Sequence, residues 1–195
     1  MIVGVILAAG RSARLGRPKQ LLPLDGPPLL THVLRHAAAS TLDEVVLVLG
    51  HEAAAIAAAV GDWGQRIVVN PDFASGQSSS VRAGLAALDP AAEAVLFLLG
   101  DQPGVGPEII DALVAAYRDS GAKIVVPVYG EIAGNPVLFD RSHFPELAEL
   151  TGDQGARDII RAGPPGLLRL PMTVPPPADV DTEDDYAVIV AAWPN

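Results

Sequence analysis

One pattern constrains this chain more than any other: short, near-continuous apolar runs, each followed by a longer stretch with helical spacing. Ile2–Ala8, Glu44–Leu49, Arg66–Val69, Ala94–Leu99 and Lys123–Pro127 read as strands. They are rich in Val, Ile and Leu throughout rather than alternating, as burial on both faces requires. Pro28–Ala39, Glu52–Val60, Ser79–Leu88 and Pro107–Asp119 read as the helices between them. Pro107 sits where a first-turn proline is tolerated, and Gly121 suits a helix end. The alternation predicts an α/β fold of three layers, with a mostly parallel, doubly wound sheet and right-handed crossovers. At 195 residues the chain is expected to form a single domain.

After Pro127 the rhythm changes. Pro136–Phe139 is an apolar run expected to enter the sheet antiparallel, and Leu167–Leu170 reads as a late strand. Arg141–Leu150 and Gly155–Arg161 read as short helices, and Glu183–Trp193 as the last one. Prolines at 164–165 and from Pro171 to Pro177 predict an irregular surface crossing.

Composition narrows the chemistry. The chain is 50% hydrophobic, enough for a sizeable core. Its 23 acidic and 13 basic residues leave a net charge of −10, which argues against nucleic acid as a partner. With no cysteine there is no disulfide, thiolate catalysis or Cys-ligated metal. No apolar run approaches the ~20 residues of a membrane span, and the opening residues lack the basic n-region of a signal peptide, so a soluble, cytoplasmic protein is expected.

The first strand runs into Leu7-Ala8-Ala9-Gly10-Arg11-Ser12-Ala13-Arg14-Leu15-Gly16-Arg17-Pro18-Lys19. A glycine-containing turn at the carboxyl edge of an open α/β sheet is where ligands bind, and glycines let backbone N–H groups approach phosphate oxygens. Arg11, Arg14, Arg17 and Lys19 concentrate four of the 13 cations within this segment. In so acidic a chain that calls for an anionic ligand, although a solvated basic loop would have the same composition. The pattern is neither Walker A nor Gly-x-Gly-x-x-Gly.

Asp101, in Gly100-Asp101-Gln102-Pro103, follows the fourth strand at the same edge and could anchor Mg²⁺; Gly-Asp is also a common turn. In the acidic stretch Asp179–Asp185, Asp181 could bind metal, or Asp181 or Thr182 could cap the last helix. The hydroxyls of Ser75 to Ser80 could reach a ribose or base, or cap a helix beginning near Ser79. Gly134-Asn135-Pro136 is explained by turn chemistry alone. His32 and His36 have the spacing of a metal pair but no third ligand.

Jointly these segments resemble a known family. Leu-Ala-Ala-Gly-x-Ser-x-Arg-Leu-Gly-x-x-Lys at 7–19 is similar to the signature of glycosyltransferase-A-like nucleotidyltransferases. Asn70-Pro71, Gly76–Ser80, Gly100–Pro103, Gly134–Phe139, Thr151–Arg157 and Asp179–Thr182, in that order, resemble the molybdenum cofactor cytidylyltransferases and their guanylyltransferase relatives. Two departures are mild: Leu15 stands where methionine is usual, and Gly-Asn-Pro replaces a frequent Gly-His-Pro.

The resemblance implies transfer of CMP from CTP to the terminal phosphate of the molybdopterin cofactor, releasing pyrophosphate. It implies a nucleotide-binding part at about 1–105 and an acceptor-binding part at about 106–195. Asp101 and Asp181 are the expected Mg²⁺ ligands. Arg14, Lys19 and Asp101 are the expected catalytic residues, with backbone N–H groups from Ala9 to Gly16 on the phosphates. Leu7, Ala8, Ala9, Gly10, Ser12, Gly16, Ser79 and Ser80 are expected to border the nucleotide, and Asn135 and Arg157 the pterin phosphate.

The Leu-Ala-Ala-Gly form resembles the cytidylyl branch, and the Cβ of Ala9 could narrow the pocket against a purine. A molybdenum hydroxylase is the expected recipient of the product. The alternatives are a guanylyltransferase on the same cofactor, a sugar- or lipid-precursor nucleotidyltransferase, and a non-catalytic cofactor-insertion chaperone.

Overall fold

In the computed structural model, which describes residues 1–153 and 155–193, eight strands form one sheet. They are β1 (Ile2–Leu7), β2 (Glu44–Leu49), β3 (Arg66–Val69), β4 (Ala94–Leu99), β5 (Ile124–Tyr129), β6 (Ile132–Ala133), β7 (Val137–Asp140) and β8 (Leu167–Met172). The order β3-β2-β1-β4 is parallel throughout. The helices are α1 (Leu29–Ala38), α2 (Ala53–Val60), α3 (Gln77–Ala86), α4 (Pro107–Ser120), α5 (Phe144–Ala148), α6 (Arg157–Ala162) and α7 (Glu183–Ala192).

Both faces of the sheet are covered, which is why the early strands are apolar at every position. Ile2 and Ile6 of β1 pack on the side of α1, α2 and α4, while Val3 and Val5 pack on the side of α3, α5 and α6. This is the expected three-layer α/β fold, and among the described residues no helix is long and apolar enough to cross a membrane.

The sheet departs from simple winding at its far half. β5 does not sit next to β4, because β7 lies between them, antiparallel to both. The reversal follows from a tight turn after β5, where Gly130 has φ 64° and β6 pairs back onto Val128 and Tyr129. The Asn135–Pro136 peptide between β6 and β7 is cis. β8 is parallel to β5 and takes in Pro171, which the proline-rich stretch was expected to leave irregular. It pairs with β5 alone, and an edge strand tolerates a residue without N–H. The segment expected as one helix from Arg141 divides into a 3-10 turn, Arg141–His143, and α5.

A third apolar cluster fixes the site's last component. Leu22, Leu24 and Leu29 meet Val180 and Ile189, with Tyr186 and Trp193 against them. Val180 is fully buried, and its N–H donates to Asp101 O at 3.2 Å, so the segment before α7 is held against the end of β4.

Candidate active site

The carboxyl ends of β2 and β4 approach that of β1 closely because their glycines face alanines. A Cβ on Gly100 would lie 2.7 Å from Cβ of Ala8, and one on Gly50 would lie 2.9 Å from Cβ of Ala9. The loops leaving these strands enclose a cleft of about 590 Å³. Leu7, Ala8, Ala9, Gly10, Lys19, Ser80 and Asp101 line it, as do Gln77, within the Gly76–Ser80 motif, and Gln20 and Phe73, which no motif singled out.

The loop after β1 is shaped by Ser12 and Gly16, both at positive φ (53° and 64°). Ser12 O accepts from Leu15 N at 3.0 Å and Gly16 N at 3.1 Å, and its Oγ accepts from Lys19 N at 3.0 Å. The N–H groups of Leu15 and Gly16, expected on phosphates, are therefore engaged within the turn. The free donors lie earlier in the loop. A Cβ on Gly10 would meet nothing within 4 Å, so a side chain there would occupy ligand space.

Lys19 stands at the floor of the cleft, between two carboxylates. Its Nζ donates to Asp101 and, at 3.0 Å, to Oδ1 of Asp181. Asp181 also meets Arg14 at 3.1 Å. Burial would lower the Lys19 pKa, but the two aspartates outweigh it and raise it; the hydrogen bond from Lys19 lowers that of Asp181. The sequence left open whether Asp181 caps α7. Thr182 does so instead, accepting from Asp185 N in a capping box, and Asp181 is left to face Lys19. Next to it Asp179 accepts from Gln102 Nε2 at 2.8 Å, and burial, with Asp101 nearby, raises the Asp179 pKa.

Other expectations are relocated. α3 begins at Gln77 after Gly76, with no serine as its cap. Ser79 is buried behind the wall, donating to Gly76 O at 2.8 Å and accepting from Asn70 at 2.8 Å, whereas Ser80 lines the cleft. The ring nitrogens of His32 and His36 lie on Leu24 O and Val105 O, so the pair is structural. The methyl of Ala9 abuts Gly50 beside Phe73, and the residue is 4% exposed, so the methyl packs into the wall between the two loops.

A smaller pocket adjoins the cleft, sharing Leu7, Gln77 and Leu99 with it, and holds Asn135 and Arg157. Asn135 and Arg157 also line a further pocket of about 280 Å³ with Arg161 and Arg169. The expected acceptor residues are thus continuous with the main cleft. Gln154, within the expected Thr151–Arg157 motif, lies outside the described residues.

Comparison with known proteins fits this arrangement. Residues 4–167 match the family described as the MobA-like NTP transferase domain. The chain is 36% identical over 172 residues to nicotine blue oxidoreductase of Paenarthrobacter nicotinovorans, covering 84% of this chain and 83% of that one. It is 30% identical over 203 residues to purine catabolism protein PucB of Bacillus subtilis, covering 96% and 95%. The crystal structure of an Rv0371c homologue from Mycobacterium sp. strain JC1 superimposes with TM-score 0.89 at 38% identity, covering 98% and 96%. Rv0371c of Mycobacterium tuberculosis, solved in complex with manganese, superimposes with TM-score 0.87 at 36% identity, covering 98% of each chain.

Proposed function

The chain belongs to the MobA-like NTP transferase family and is a nucleotidyltransferase, and from that premise we propose that it moves CMP from CTP to the terminal phosphate of molybdopterin cofactor, releasing pyrophosphate. The observation that carries this reading is Lys19 held between Asp101 and Asp181 on the floor of a cleft that continues to Arg157. The reaction joins two anions, and an acceptor phosphate oxygen is already anionic near neutral pH. Alignment and charge neutralisation therefore suffice, with no strong general base.

The two carboxylates meet at one cation, the Lys19 ammonium, and their hard oxygen donors fit Mg²⁺ equally well. Among the described residues no three acidic or histidine side chains are grouped so as to hold a metal ion by themselves, so nucleotide phosphates and water would supply the remaining ligands. A manganese complex of the mycobacterial neighbour supports a divalent ion here. When bound, Mg²⁺ neutralises phosphate charge. Asp101 and Asp181 would hold the ion, and Lys19, beside Arg14, would place its ammonium on the β- and γ-phosphates. The backbone N–H groups of Ala9 to Arg11 take the phosphate oxygens, and Phe73, Gln77 and Ser80 border the base and ribose. Asn135 and Arg157 hold the incoming phosphate.

The deciding experiment incubates the protein with each NTP, Mg²⁺ and molybdenum cofactor and measures pyrophosphate. Release that needs both CTP and the cofactor is expected. Preference for GTP, or release that ignores the cofactor, overturns the assignment.

A further inference from the structure

We propose that Gln20 is a positioning residue for the nucleotide: its buried carboxamide orients the loop after β1 so that the N–H groups of Ala9 and Arg11 meet phosphate oxygens. The inference rests on the reading of this cleft as the triphosphate site.

Gln20 is 2% exposed. Its Nε2 donates to Ala8 O at 2.9 Å and to Gly10 O at 3.3 Å. Both partners are carbonyl acceptors, so only the amide nitrogen can face them. Its Oε1 is buried with no partner among the described residues. An apolar side chain of similar shape would fill the same space without an orphaned oxygen, so packing does not account for a glutamine here.

Peptide planarity supplies the consequence. In a trans peptide the C=O and the following N–H point to opposite sides. Holding the carbonyls of Ala8 and Gly10 therefore turns the N–H groups of Ala9 and Arg11 away from Gln20. The carbonyl between them, Ala9 O, accepts from His51 N at 3.2 Å, which fixes the middle peptide as well. Among the described residues, the N–H groups of Ala9, Gly10 and Arg11 donate to no protein acceptor, and all three residues line the cleft. Backbone donors left free at a strand end suit an oxyanion. Gln20 directly follows Lys19 in a 3-10 turn, Lys19–Leu21, so one turn carries both the ammonium and the amide that sets the loop.

The test titrates ¹⁵N-labelled protein with Mg²⁺-pyrophosphate and with Mg²⁺-CTP, following the Ala9 and Arg11 amide resonances. In the wild type both are expected to shift on binding. Gln20→Glu keeps the shape but loses the donors, and Gln20→Leu loses both polar ends. Each is expected to weaken both ligands about tenfold and to move the free-state Ala9 and Arg11 resonances, with the acceptor KM unchanged. A folded Gln20→Glu or Gln20→Leu that binds as the wild type does overturns the proposal. Should both variants fail to fold, the wild type still decides: binding that leaves the Ala9 and Arg11 amides unmoved overturns it. A wild type that binds neither ligand overturns the site reading itself, and this inference with it.

Discussion

At the β1 end of the cleft, Lys19 is engaged by Asp101 and Asp181, and Arg14 by Asp181, whereas at the far end Arg157 and Arg169 meet no carboxylate among the described residues. The two ends also differ in frame. The first hangs on four consecutive parallel strands, and its loop carbonyls are held by Gln20 and His51. The second hangs on the mixed half of the sheet and one helix of six residues. One end is arranged with its own counter-ions in place, so the proposed metal–nucleotide would have to exchange partners with Lys19 to enter. At the other, Arg157 and Arg169 have no carboxylate partner among the described residues, so the proposed anionic acceptor would meet unpaired cations there.

The sharpest break of this comparison is Asp101→Asn. The amide cannot supply a charged ligand to a divalent ion, and turnover is expected to fall at least ~100-fold. Lys19 keeps Asp181 as a partner, so the melting temperature should stay near that of the wild type. Full turnover by a folded variant would take the metal site away from the β4 end.

Lys19→Met tests the counter-ion directly. Removing the ammonium leaves two carboxylates facing each other, so Mn²⁺ binding without nucleotide should tighten about tenfold, read by the EPR signal of free Mn²⁺. Transfer should slow by at least the same factor, since the phosphates lose their cation. Unchanged Mn²⁺ affinity would mean that Asp101 and Asp181 do not share an ion.

Arg157→Ala addresses the other end. The acceptor KM is expected to rise about tenfold while the nucleotide KM is unchanged, as loss of one charge-assisted contact would give. Equal losses for both substrates would merge the two ends into one diffuse basic surface.

The join between the halves should behave independently of both. Asp140, at the end of β7, accepts from Tyr117 at 2.8 Å, from Ser142 N at 3.1 Å and from Lys123 at 3.2 Å. Burial would raise its pKa, but the Ser142 and Tyr117 hydrogen bonds outweigh it and lower the value from 3.8 to about 2. A depressed carboxyl pKa contributes stability above the unfolded value and loses it as the pH falls toward the folded one. Asp140→Asn should therefore melt roughly 2–4 °C lower at pH 7, about 1 kcal/mol for a chain of this size, with turnover intact. The difference from the wild type should shrink between about pH 4 and pH 2.

What was legible in the sequence follows the same division. Strands buried on both faces announce themselves, so β1 to β5 were placed within two residues at either end, the larger difference being the C-terminal end of β5. The insertion of β7 between β4 and β5 was not legible, because register across a sheet is set by long-range pairing and a turn at Gly130. In the site, Lys19, Asp101 and Asp181 were nominated by motif, yet only the packing of Val180 shows why Asp181 reaches Lys19. Gln20 carried no signal, since a glutamine two residues after a proline reads as surface until its carbonyl partners are known. Arg161 and Arg169 were missed for a like reason: they come from α6 and β8 and converge only in the folded chain.

The smallest effect is expected at Ala9, where the sequence suggested the largest consequence for nucleotide choice. A Cβ on Gly50 would lie 2.9 Å from the Ala9 methyl and 2.6 Å from Cβ of Phe73, so that methyl belongs to the wall between the two loops. Removing it widens the open cleft little, and a purine gains almost no room. The CTP-to-GTP ratio of kcat/KM should change less than about threefold in Ala9→Gly, below the ~10-fold that even one methylene can contribute in a fitted pocket. Stability should drop by roughly 0.5–1 kcal/mol through added backbone freedom. Base discrimination is then expected from the side chains that face the cleft, chiefly Phe73, whose ring lies 5.3 Å from the Arg11 guanidinium carbon, and Gln77. Competition between CTP and GTP in Ala9→Gly and Phe73→Ala separates the two: a ratio that moves in Phe73→Ala alone supports the wall reading, and an inversion in Ala9→Gly restores the methyl as the gate.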